Sequence, residues 1–568
     1  MDMQHEYSIQ ALQGHLVRKI AYRASEWAKV DLLDSLPSTG NPMWKMLKYL
    51  QLCQSWRFHC QPLVCQEVSI SINKTLDAID TSHYWSPTAN DIIECGGQHF
   101  TKHAYLRISY SAVLTGVLAR LLASEPYCQA VFPQVESIQL NLAKGGALSG
   151  LDDVECRQNV SKFVGRIKSM FPNAEMCSIS NTMFCLPEED NATKHYSQLV
   201  TELAQNARRI KYYTSNEMFS IGTLVNLSNL THLVYSECNS TNAFIQLVLN
   251  NASTLQVLNL DLDNPELFTQ FVHTDTGMQV AYPCLHTLKS ICTSDNIIER
   301  RCSPLHTPFP NLTHLTMTHS YPFTNDALFR GNSTYMQHLA MHLDVIDLLI
   351  LDRSGVFEKN KFSKLSVLDL DINLIDQPFN LEFGQRICRI PLKIATGIES
   401  LRLNFFGFPY KESLQSSFAS LPALGQLKYL TVIGVSLTFM ETISLLGYLP
   451  ELSQLMFDPQ TSDYEEEDFE IEEAHRVEEI QLVDQLYLDK VLSNSALKHV
   501  IFQKSSYADM NGASHFACQL AILCPHITCI RWGYHSSAFD SCCKENAANS
   551  LYSAYKTRLC DVEWVKAK

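Results

Sequence analysis

The 568-residue sequence has few charges and no long apolar run. Only 18% of its residues are charged, and the acidic residues outnumber the basic ones to give a net charge of -15. Because nucleic-acid backbones are bound by clustered lysine and arginine, this balance argues against a general nucleic-acid binder. The longest apolar stretch in the N-terminal third, Ala112 to Ala123, contains Arg120 and falls short of the roughly 20 residues of a membrane-spanning helix. We therefore expect a soluble protein with neither a nucleic-acid nor a membrane partner.

Paired cysteines and a secretion signal are also missing. None of the 19 cysteines forms a CxxC pair, which is the spacing typical of structural zinc sites. The segment from Met1 to Gln10 contains Asp2, His5 and Glu6 and lacks the charged and then apolar run of a signal peptide. These absences predict no metal site and favour reduced, mostly buried cysteines in a cytoplasmic or nuclear protein.

One pattern points the other way. The chain contains nine Asn-x-Ser/Thr sequons, at Asn73, Asn159, Asn191, Asn226, Asn229, Asn239, Asn251, Asn311 and Asn332. Sequons matter only in a secreted chain, so a secreted recognition protein with disulfides and glycans stays open as an alternative. The interpretation we favour is that these sequons arise from asparagine-rich turns.

Signatures of catalysis are absent from the sequence. It has no phosphate-binding loop of the Walker or dinucleotide type, no HExxH and no Gly-x-Ser-x-Gly. Single histidines such as His314 and His338 are interpreted as surface or satisfied polar residues. We therefore expect no enzymatic activity, no catalytic residues and no cofactor.

What the chain does contain is a recurring phrase: an apolar residue, two others, an apolar residue, one other, and an apolar residue. Clear copies begin at Val135, Leu230, Leu255, Leu312, Leu365, Ile398, Leu427 and Leu452, and weaker copies begin at Ala174, Leu285, Met336, Leu497 and Ile527, with a poorer one near Ile210 and Tyr213. Such self-similarity at a mean period of about 30 residues is typical of a repeat solenoid. The phrase resembles the strand segment of leucine-rich repeats.

Each copy of the phrase predicts a short parallel strand, because alternate side chains along a strand point to opposite faces. The intervals predict helices. Thr438 and Glu441 have the spacing of a capping box, and Phe163, Ile167 and Met170 recur at helical spacing. The expected fold class is therefore α/β, a leucine-rich-repeat solenoid or horseshoe with a parallel concave sheet and a helical convex side.

The outward positions of these strands are the candidates for binding a partner. They are polar and mixed in sign, which suits a protein or peptide partner better than a buried small ligand. The candidates on the expected concave face are Asn259, Asp261, Thr316, Thr318, His342, Asp369, Asp371, Arg402, Asn404, Asp458 and Arg531.

Three segments subdivide the chain. Residues 135–568 carry the repeats, interrupted by an acidic segment at about 461–476 that has eight acidic residues between Asp463 and Glu473. We interpret it as a solvated loop, with docking of a basic partner as the alternative. Residues 61–134 form a transition or N-terminal cap, in which the alternating residues from Val68 to Ile72 and from Leu106 to Tyr110 predict early strands. A helix is expected over 111–124.

Residues 1–60 predict helices on their own pattern. Leu12, Leu16 and Ile20 fall at helical spacing, and a second stripe leads through Leu50 to Trp56 in the segment LKYLQLCQSWRFHC. This arrangement resembles a degenerate F-box over about residues 8 to 60, with Leu12-Gln13-Gly14 where a typical F-box has Leu-Pro.

The order of the segments along most of the chain is similar to a family of uncharacterised F-box-like leucine-rich-repeat proteins expanded in early-diverging fungi. The resemblance implies a substrate-recruiting subunit of a Skp1, cullin, F-box ubiquitin ligase. The implied adaptor-binding residues are Leu12, Leu16, Ile20, Leu50 and Trp56. The alternative is a repeat scaffold without a ubiquitin role, in which the N-terminal helices only cap the solenoid.

Overall fold

The computed structural model divides the chain into two compact units, Met1–Leu288 and Lys289–Lys568, called unit 1 and unit 2 below. The structure describes residues 61, 65–72, 89–143, 152–181, 190–214, 224–236, 242–261, 270–271, 280–293, 308–320, 333–344, 362–373, 389–406, 421–459, 481–482, 485–486, 489, 492, 495–502, 510–532, 559 and 562–566. The F-box-like residues 8–60 and the acidic segment 461–476 lie outside the described residues. So do all five candidates for binding an adaptor.

Unit 1 is a stack of parallel strands in which each strand pairs with the next one along the chain. The strands are β1 (Glu67–Ile72), β2 (His103–Ser109), β3 (Ser137–Ala143), β4 (Met176–Asn181), β5 (Arg209–Thr214), β6 (His232–Ser236) and β7 (Val257–Asp261). A further strand, β8 (Thr287–Thr293), crosses the boundary between the units. The pairing register places the last apolar residue of each phrase in one column through Leu106, Leu140, Ile179, Tyr212, Tyr235 and Leu260.

Unit 2 repeats the same arrangement. Its strands are β9 (His314–Ser320), β10 (His338–Asp344), β11 (Val367–Asn373), β12 (Ser400–Phe406), β13 (Tyr429–Leu437), β14 (Gln454–Pro459), β15 (His499–Phe502), β16 (Cys529–Trp532) and β17 (Glu563–Lys566). All of the consecutive pairs from β9 to β17 are parallel. A buried column runs through the middle apolar residue of each phrase, namely Leu315, Leu339, Leu368, Leu401, Leu430, Leu455, Val500 and Ile530.

The predicted α/β leucine-rich-repeat solenoid is thus confirmed within each unit. Three details differ from the sequence prediction. The column in β5 is continued by Tyr212 and not by Tyr213, since Tyr212 pairs with Tyr235. Tyr110 begins a helix instead of ending a strand. Finally, β17 was not predicted, because its register pairs Trp564 with Ile530, and Trp564 follows Val562 by two residues instead of the three that the phrase requires.

A recurring pair of hydrogen bonds fixes the start of each repeat. The amides of Glu136 and Ser137 both donate to the carbonyl of Lys102, and the amides of Ser366 and Val367 both donate to that of Gln337. Each strand therefore enters the sheet at the same position relative to the strand before it. Because side chains alternate between the faces, this fixed entry keeps every phrase in register.

The helices of unit 1 cover the buried side of its strands. They are α1 (Ala89–Cys95), α2 (Tyr110–Leu114), α3 (Val117–Leu122), α4 (Asp153–Met170), α5 (Asp190–Ala204) and α6 (Asn242–Asn250). The predicted stripe of Phe163, Ile167 and Met170 is confirmed as part of the buried face of α4. Asp152 caps this helix by accepting hydrogen bonds from the amides of the first turn.

The single helix predicted over 111–124 is wrong, since the segment forms α2 and α3 with a break at Gly116. This glycine has a φ of 70°, and a Cβ atom there would lie 2.6 Å from Oδ1 of Asn159. Asn159 lies on α4 and donates from Nδ2 to the carbonyl of Leu114 at the end of α2. The break therefore comes from a contact between helices that helical spacing alone does not show.

Unit 2 contains the helices α7 (Phe439–Tyr448) and α8 (Met510–Leu523), and residues 389–394 are helical as well. The predicted capping box of α7 is confirmed: the amide of Glu441 donates to Oγ1 of Thr438, and the amide of Thr438 donates to the Glu441 carboxylate. A cluster of aromatic rings joins α7 and α8 to the sheet. Phe516 of α8 lies 5.4 Å from Phe439, 5.8 Å from Phe457 and 5.9 Å from Phe502, measured between ring centroids.

Buried asparagines explain two of the nine sequons. Asn251 is fully buried, accepts from the amide of Leu230 and donates to the carbonyls of Leu227 and Leu247. Asn159 is buried as well and makes the contact with Leu114 described above. Since a glycan cannot be accommodated on a buried side chain, these two sequons do not support the secreted alternative. Their asparagines are internal hydrogen-bonding residues.

Candidate functional site

One face of the unit 2 sheet keeps its side chains accessible. Along β10 and β11 the residues alternate between buried and half-buried. The buried set forms the core, and the other set forms what we call the open face of unit 2. Its members on the four strands from β9 to β12 are His314, Thr316, His338, Ala340, His342, Asp344, Val367, Asp369, Asp371, Asn373, Ser400, Arg402, Asn404 and Phe406.

A histidine and a carboxylate meet across two strands of this face. Nε2 of His338 lies 3.0 Å from Oδ2 of Asp369, and both side chains stay partly exposed. On the other side of His338, the ring of His314 packs edge-on at 5.8 Å between centroids. Nδ1 of His314 in turn lies 2.9 Å from Oγ1 of Thr313. The row therefore presents two imidazoles and one carboxylate side by side.

A second polar group lies further along the same strands. Nδ2 of Asn404 donates to Oδ1 of Asp371 at 2.8 Å, and the Arg402 guanidinium lies 3.9 Å from the same oxygen. Asn404 is buried, so it fixes the direction of the Asp371 carboxylate. Arg402 and Asp371 both retain exposed surface, and an ion pair of this kind contributes little to stability. Its charges remain available to a partner.

An aromatic side chain borders these polar groups. Phe406, at the end of β12, is 44% exposed, and its ring lies 6.0 Å from that of His342. Tyr429, which begins β13, is also 44% exposed. Exposed aromatic residues next to charged groups are the composition that protein interfaces favour. The open face of unit 2 therefore combines hydrogen-bonding, charged and aromatic groups on rigid strands.

The predicted candidates differ in where they lie on the sheet and in how exposed they are. Asp369, Asp371, Arg402, Asn404 and His342 come together on β10 to β12, as described above. Thr316 lies half-buried on β9, and Arg531 is exposed on β16. Asp458 on β14 is buried and is less accessible than Asp369 and Asp371.

The remaining candidates are Asn259 and Asp261 in unit 1 and Thr318 in unit 2. Asn259 lies on β7 of unit 1, where its Oδ1 atom is buried and accepts no hydrogen bond from the residues that the structure describes. Asp261 and Thr318 belong to β7 and β9, but their side chains lie outside the described part. That any of these residues binds a partner stays a prediction.

The residues of the open face that sequence reasoning left out include three that make the contacts described above: His314, His338 and Phe406. The two histidines occupy the residue just before the middle apolar position of their phrases, and Phe406 follows the end of its phrase. If the outward positions of each strand had been taken to begin two residues earlier and to end two residues later, they would have included all three residues. Their proximity, however, depends on the register between strands.

Unit 1 has an open face of a different kind. It carries Tyr105 and Arg107 on β2, Arg209 and Lys211 on β5, and His232 on β6, all half-buried. Burial, and then the charge of Glu67, raise the pKa of Tyr105. Burial, followed by the nearby Arg209 and His286, lowers the pKa of His232. Arg209 and Lys211 make this face basic around β5 and β6, whereas the acidic Glu67 lies near Tyr105.

Among the described residues, no three His, Cys, Asp or Glu side chains are grouped as metal ligands. No helix in the described ranges is long and apolar enough to cross a membrane.

Comparisons with known proteins add little to this geometry. No protein-family model matches the chain, and no curated protein matches it. Among solved structures, the chain is similar to a crystal structure of a TLR13–ssRNA13 complex, with 14% sequence identity and a TM-score of 0.34 over 88% of this chain and 72% of the other. A TM-score this low supports no conclusion about shared fold, ligand or function. The fold assignment therefore rests on the strand pairing and the repeat phrase.

Proposed function

We propose that this chain is a protein-recognition scaffold that binds a polypeptide through the open face of unit 2. The observation that carries the proposal is the arrangement of His338, Asp369, Asp371 and Arg402 beside the exposed Phe406 on adjacent strands. Stacked parallel strands hold these groups at fixed separations, so little conformational entropy is lost when a partner binds. A broad sheet face of this type suits an extended surface more than a small molecule.

The carboxylates give the partner a chemical preference. Asp344, Asp369 and Asp371 lie on neighbouring strands, with Arg402 as the basic residue among them. A lysine or arginine of the partner would complement the two carboxylates nearest to Arg402, and an apolar side chain would pack on Phe406. Such a pairing of a charged group with an aromatic anchor is typical of interface hot spots.

Site-specific photo-crosslinking in the full chain tests this proposal. A photoreactive phenylalanine analogue is placed at position 406, and a matched control places it at position 448. Tyr448 lies on α7 and is 42% exposed, against 44% for Phe406. We expect polypeptides to be captured at position 406 and not at 448, with at least tenfold less capture after Asp369→Asn and Asp371→Asn are combined. Equal capture of the same polypeptides at both positions would overturn the proposal.

A finer proposal concerns residues 8–60. Their resemblance to an F-box supports a role in which Leu12, Leu16, Ile20, Leu50 and Trp56 contact a Skp1-type adaptor while the repeats hold the substrate of an SCF-type ubiquitin ligase. Retention of the full chain by recombinant Skp1 tests it. We expect retention by the wild-type chain and its loss after Leu50→Asp together with Trp56→Ala. Failure of the folded wild-type chain to be retained contradicts the adaptor role.

The alternative is a scaffold without a ubiquitin role, in which residues 1–60 only cap the repeats. It is favoured by the position of β1 as the first strand in the described part of unit 1, paired with β2, because the outer edge of a first strand needs a cover. Deletion of residues 1–60 distinguishes the two. Loss of amide protection in β1 and β2 on deletion, without Skp1 binding by the intact chain, supports the cap.

A further inference from the structure

Two cysteine side chains meet at the beginning of unit 1. The Sγ atom of Cys65, just before β1, lies 3.7 Å from the Sγ atom of Cys95, the last residue of α1. Cys65 is buried and Cys95 is half-buried, and neither forms a disulfide. Although 30 residues separate them in sequence, their sulfur atoms are in direct contact. The contact is independent of the open face of unit 2.

The backbone on both sides of the pair is held by hydrogen bonds. Helix α1 ends in a Schellman motif, in which the amide of Gly97 donates to the carbonyl of Ile92 at 2.8 Å and that of Gly96 donates to Ile93 at 3.1 Å. Gly96 has the positive φ of 70° that this motif requires. At the other cysteine of the pair, the amide of Cys65 donates to the carbonyl of Gln61 at 2.9 Å. Neither cysteine can move far without breaking these bonds.

The same turn leaves space for the two sulfur atoms. A Cβ atom on Gly97 would lie 2.5 Å from Sγ of Cys65 and 3.2 Å from Sγ of Cys95. Both distances are too short for a carbon–sulfur contact, so any larger residue at position 97 would displace at least one sulfur. The absence of a side chain at Gly97 is therefore what allows Cys65 and Cys95 to touch.

We infer that Cys65 and Cys95 form a reversible dithiol–disulfide site. A disulfide has an S–S distance of about 2.05 Å, so the sulfur atoms must approach by roughly 1.7 Å, which is within the reach of side-chain rotation. The bond would link Cys95, at the end of α1, to Cys65, just before β1. It would therefore join the two ends of the first described repeat.

The oxidant required is a low-molecular-weight disulfide such as glutathione disulfide. The Cys95 thiolate, on the more exposed residue, attacks one sulfur of glutathione disulfide, forms a mixed disulfide and releases one glutathione thiolate. Cys65 then loses its proton to solvent and attacks Sγ of Cys95, which releases the second glutathione thiolate. Two electrons pass from the two cysteine thiols to glutathione disulfide, which becomes two molecules of glutathione.

The second step is the slow one. The hydrogen bond with Cys95, followed by burial and the charge of Cys95, raises the pKa of Cys65. Because only the thiolate reacts, ring closure should accelerate with rising pH. The mixed disulfide on Cys95 should therefore precede the internal disulfide in time.

The test uses the full chain incubated with glutathione disulfide, quenched with an alkylating agent and analysed by mass spectrometry without reduction. We expect a peptide pair linked through Cys65 and Cys95, formed after glutathionylation of Cys95 and removed by dithiothreitol. In Cys65→Ser the glutathione should remain on Cys95. In Cys95→Ser, Cys65 should stay reduced, as should the fully buried Cys177, whose pKa burial raises to about 12.

The Gly97→Ala variant provides the geometric control. It should reduce the linked peptide at least tenfold, while Cys95 remains open to glutathionylation. Stable glutathionylation of Cys95 in the wild-type chain without a Cys65–Cys95 link would overturn the inference. Linkage of Cys65 to any other cysteine would overturn it as well.

Discussion

The open faces of the two units share one backbone design and carry different charges. In unit 1 the exposed or half-buried side chains of the face include Arg107, Arg209 and Lys211, with Glu67 on β1 as an acidic residue. In unit 2 the corresponding positions of β10 and β11 carry Asp344, Asp369 and Asp371, with Arg402 on β12. Each column of core residues is nevertheless apolar in both units.

This difference shows which positions of a repeat are free to specialise. The inward positions are constrained because each core side chain packs against the same position in the next repeat. The outward positions bear no such constraint, so their charge can change from one unit to the other without cost to the fold. Recognition by this protein is therefore expected to depend on the outward residues of each unit separately.

The largest expected effect tests whether the two cores are equivalent. Leu140→Ala in unit 1 and Leu370→Ala in unit 2 each remove a fully buried side chain, which should cost about 2–5 kcal/mol because a cavity remains. Hydrogen exchange would show in which unit protection is lost. We expect each substitution to lower protection in its own unit by a similar amount. A loss confined to unit 2 for both variants would contradict the equivalence of the cores.

A smaller effect is expected at a hydrogen-bonding residue of unit 1. Asn251→Ala removes the side chain that accepts a hydrogen bond from the amide of Leu230 and donates to the carbonyls of Leu227 and Leu247. Leaving these buried groups without partners should lower the free energy of unfolding by about 2–4 kcal/mol. Among the described residues, the side chain of the neighbouring Asn250 donates only to the carbonyl of Val225 and is exposed, so Asn250→Ala is the matched control. Equal losses in a urea denaturation of the two variants would refute a special role for Asn251.

The capping box provides the counterpart in unit 2. Thr438→Ala removes the oxygen that accepts from the amide of Glu441, and it should cost about 1 kcal/mol through fraying of α7. Thr438→Ser keeps that oxygen and should retain most of the stability. Thermal unfolding measured by circular dichroism compares the three proteins. If the serine variant is as unstable as the alanine variant, the methyl group and not the cap is responsible.

The smallest effect concerns the open face of unit 1. Because the pKa of His232 is lowered in the folded chain, the unfolded chain binds more protons than the folded chain at pH values between the two pKa values. The contribution of His232 to the free energy of unfolding is therefore fully present above its unfolded pKa of about 6.5. It declines as the pH falls through the pKa of His232 in the folded chain. Urea denaturation at neutral and at mildly acidic pH should show a shallower decline for His232→Gln than for the wild type. An unchanged decline would mean that other groups dominate the acid response of unit 1.

Much of the repeat architecture could be predicted because its cause is local. The spacing of Leu365, Leu368 and Leu370 specifies a strand with one apolar face, and the pair Thr438 and Glu441 specifies where a helix begins. Predictions failed where a distant contact decided the outcome. Gly116 interrupts a helix because Asn159 approaches it from another helix. Tyr212, and not Tyr213, continues the column of paired residues because of the register with the neighbouring strands.

The candidate site divides in the same way. Counting outward positions was enough to nominate Asp369, Asp371 and Arg402, because alternation along a strand is a property of the sequence. The pairing of His338 with Asp369, and the meeting of Cys65 with Cys95 across 30 residues, could not be foreseen from it.

The sequence by itself determined that this chain is built from repeated apolar phrases with polar residues between them, because alternation along a strand gives each phrase one apolar face. Only the tertiary structure decided which polar residues are neighbours. The hydrogen-bond register between strands places His338 beside Asp369 and Asp371 beside Asn404, and a register is a property of two segments together. The arrangement of the charges on each open face follows from that pairing.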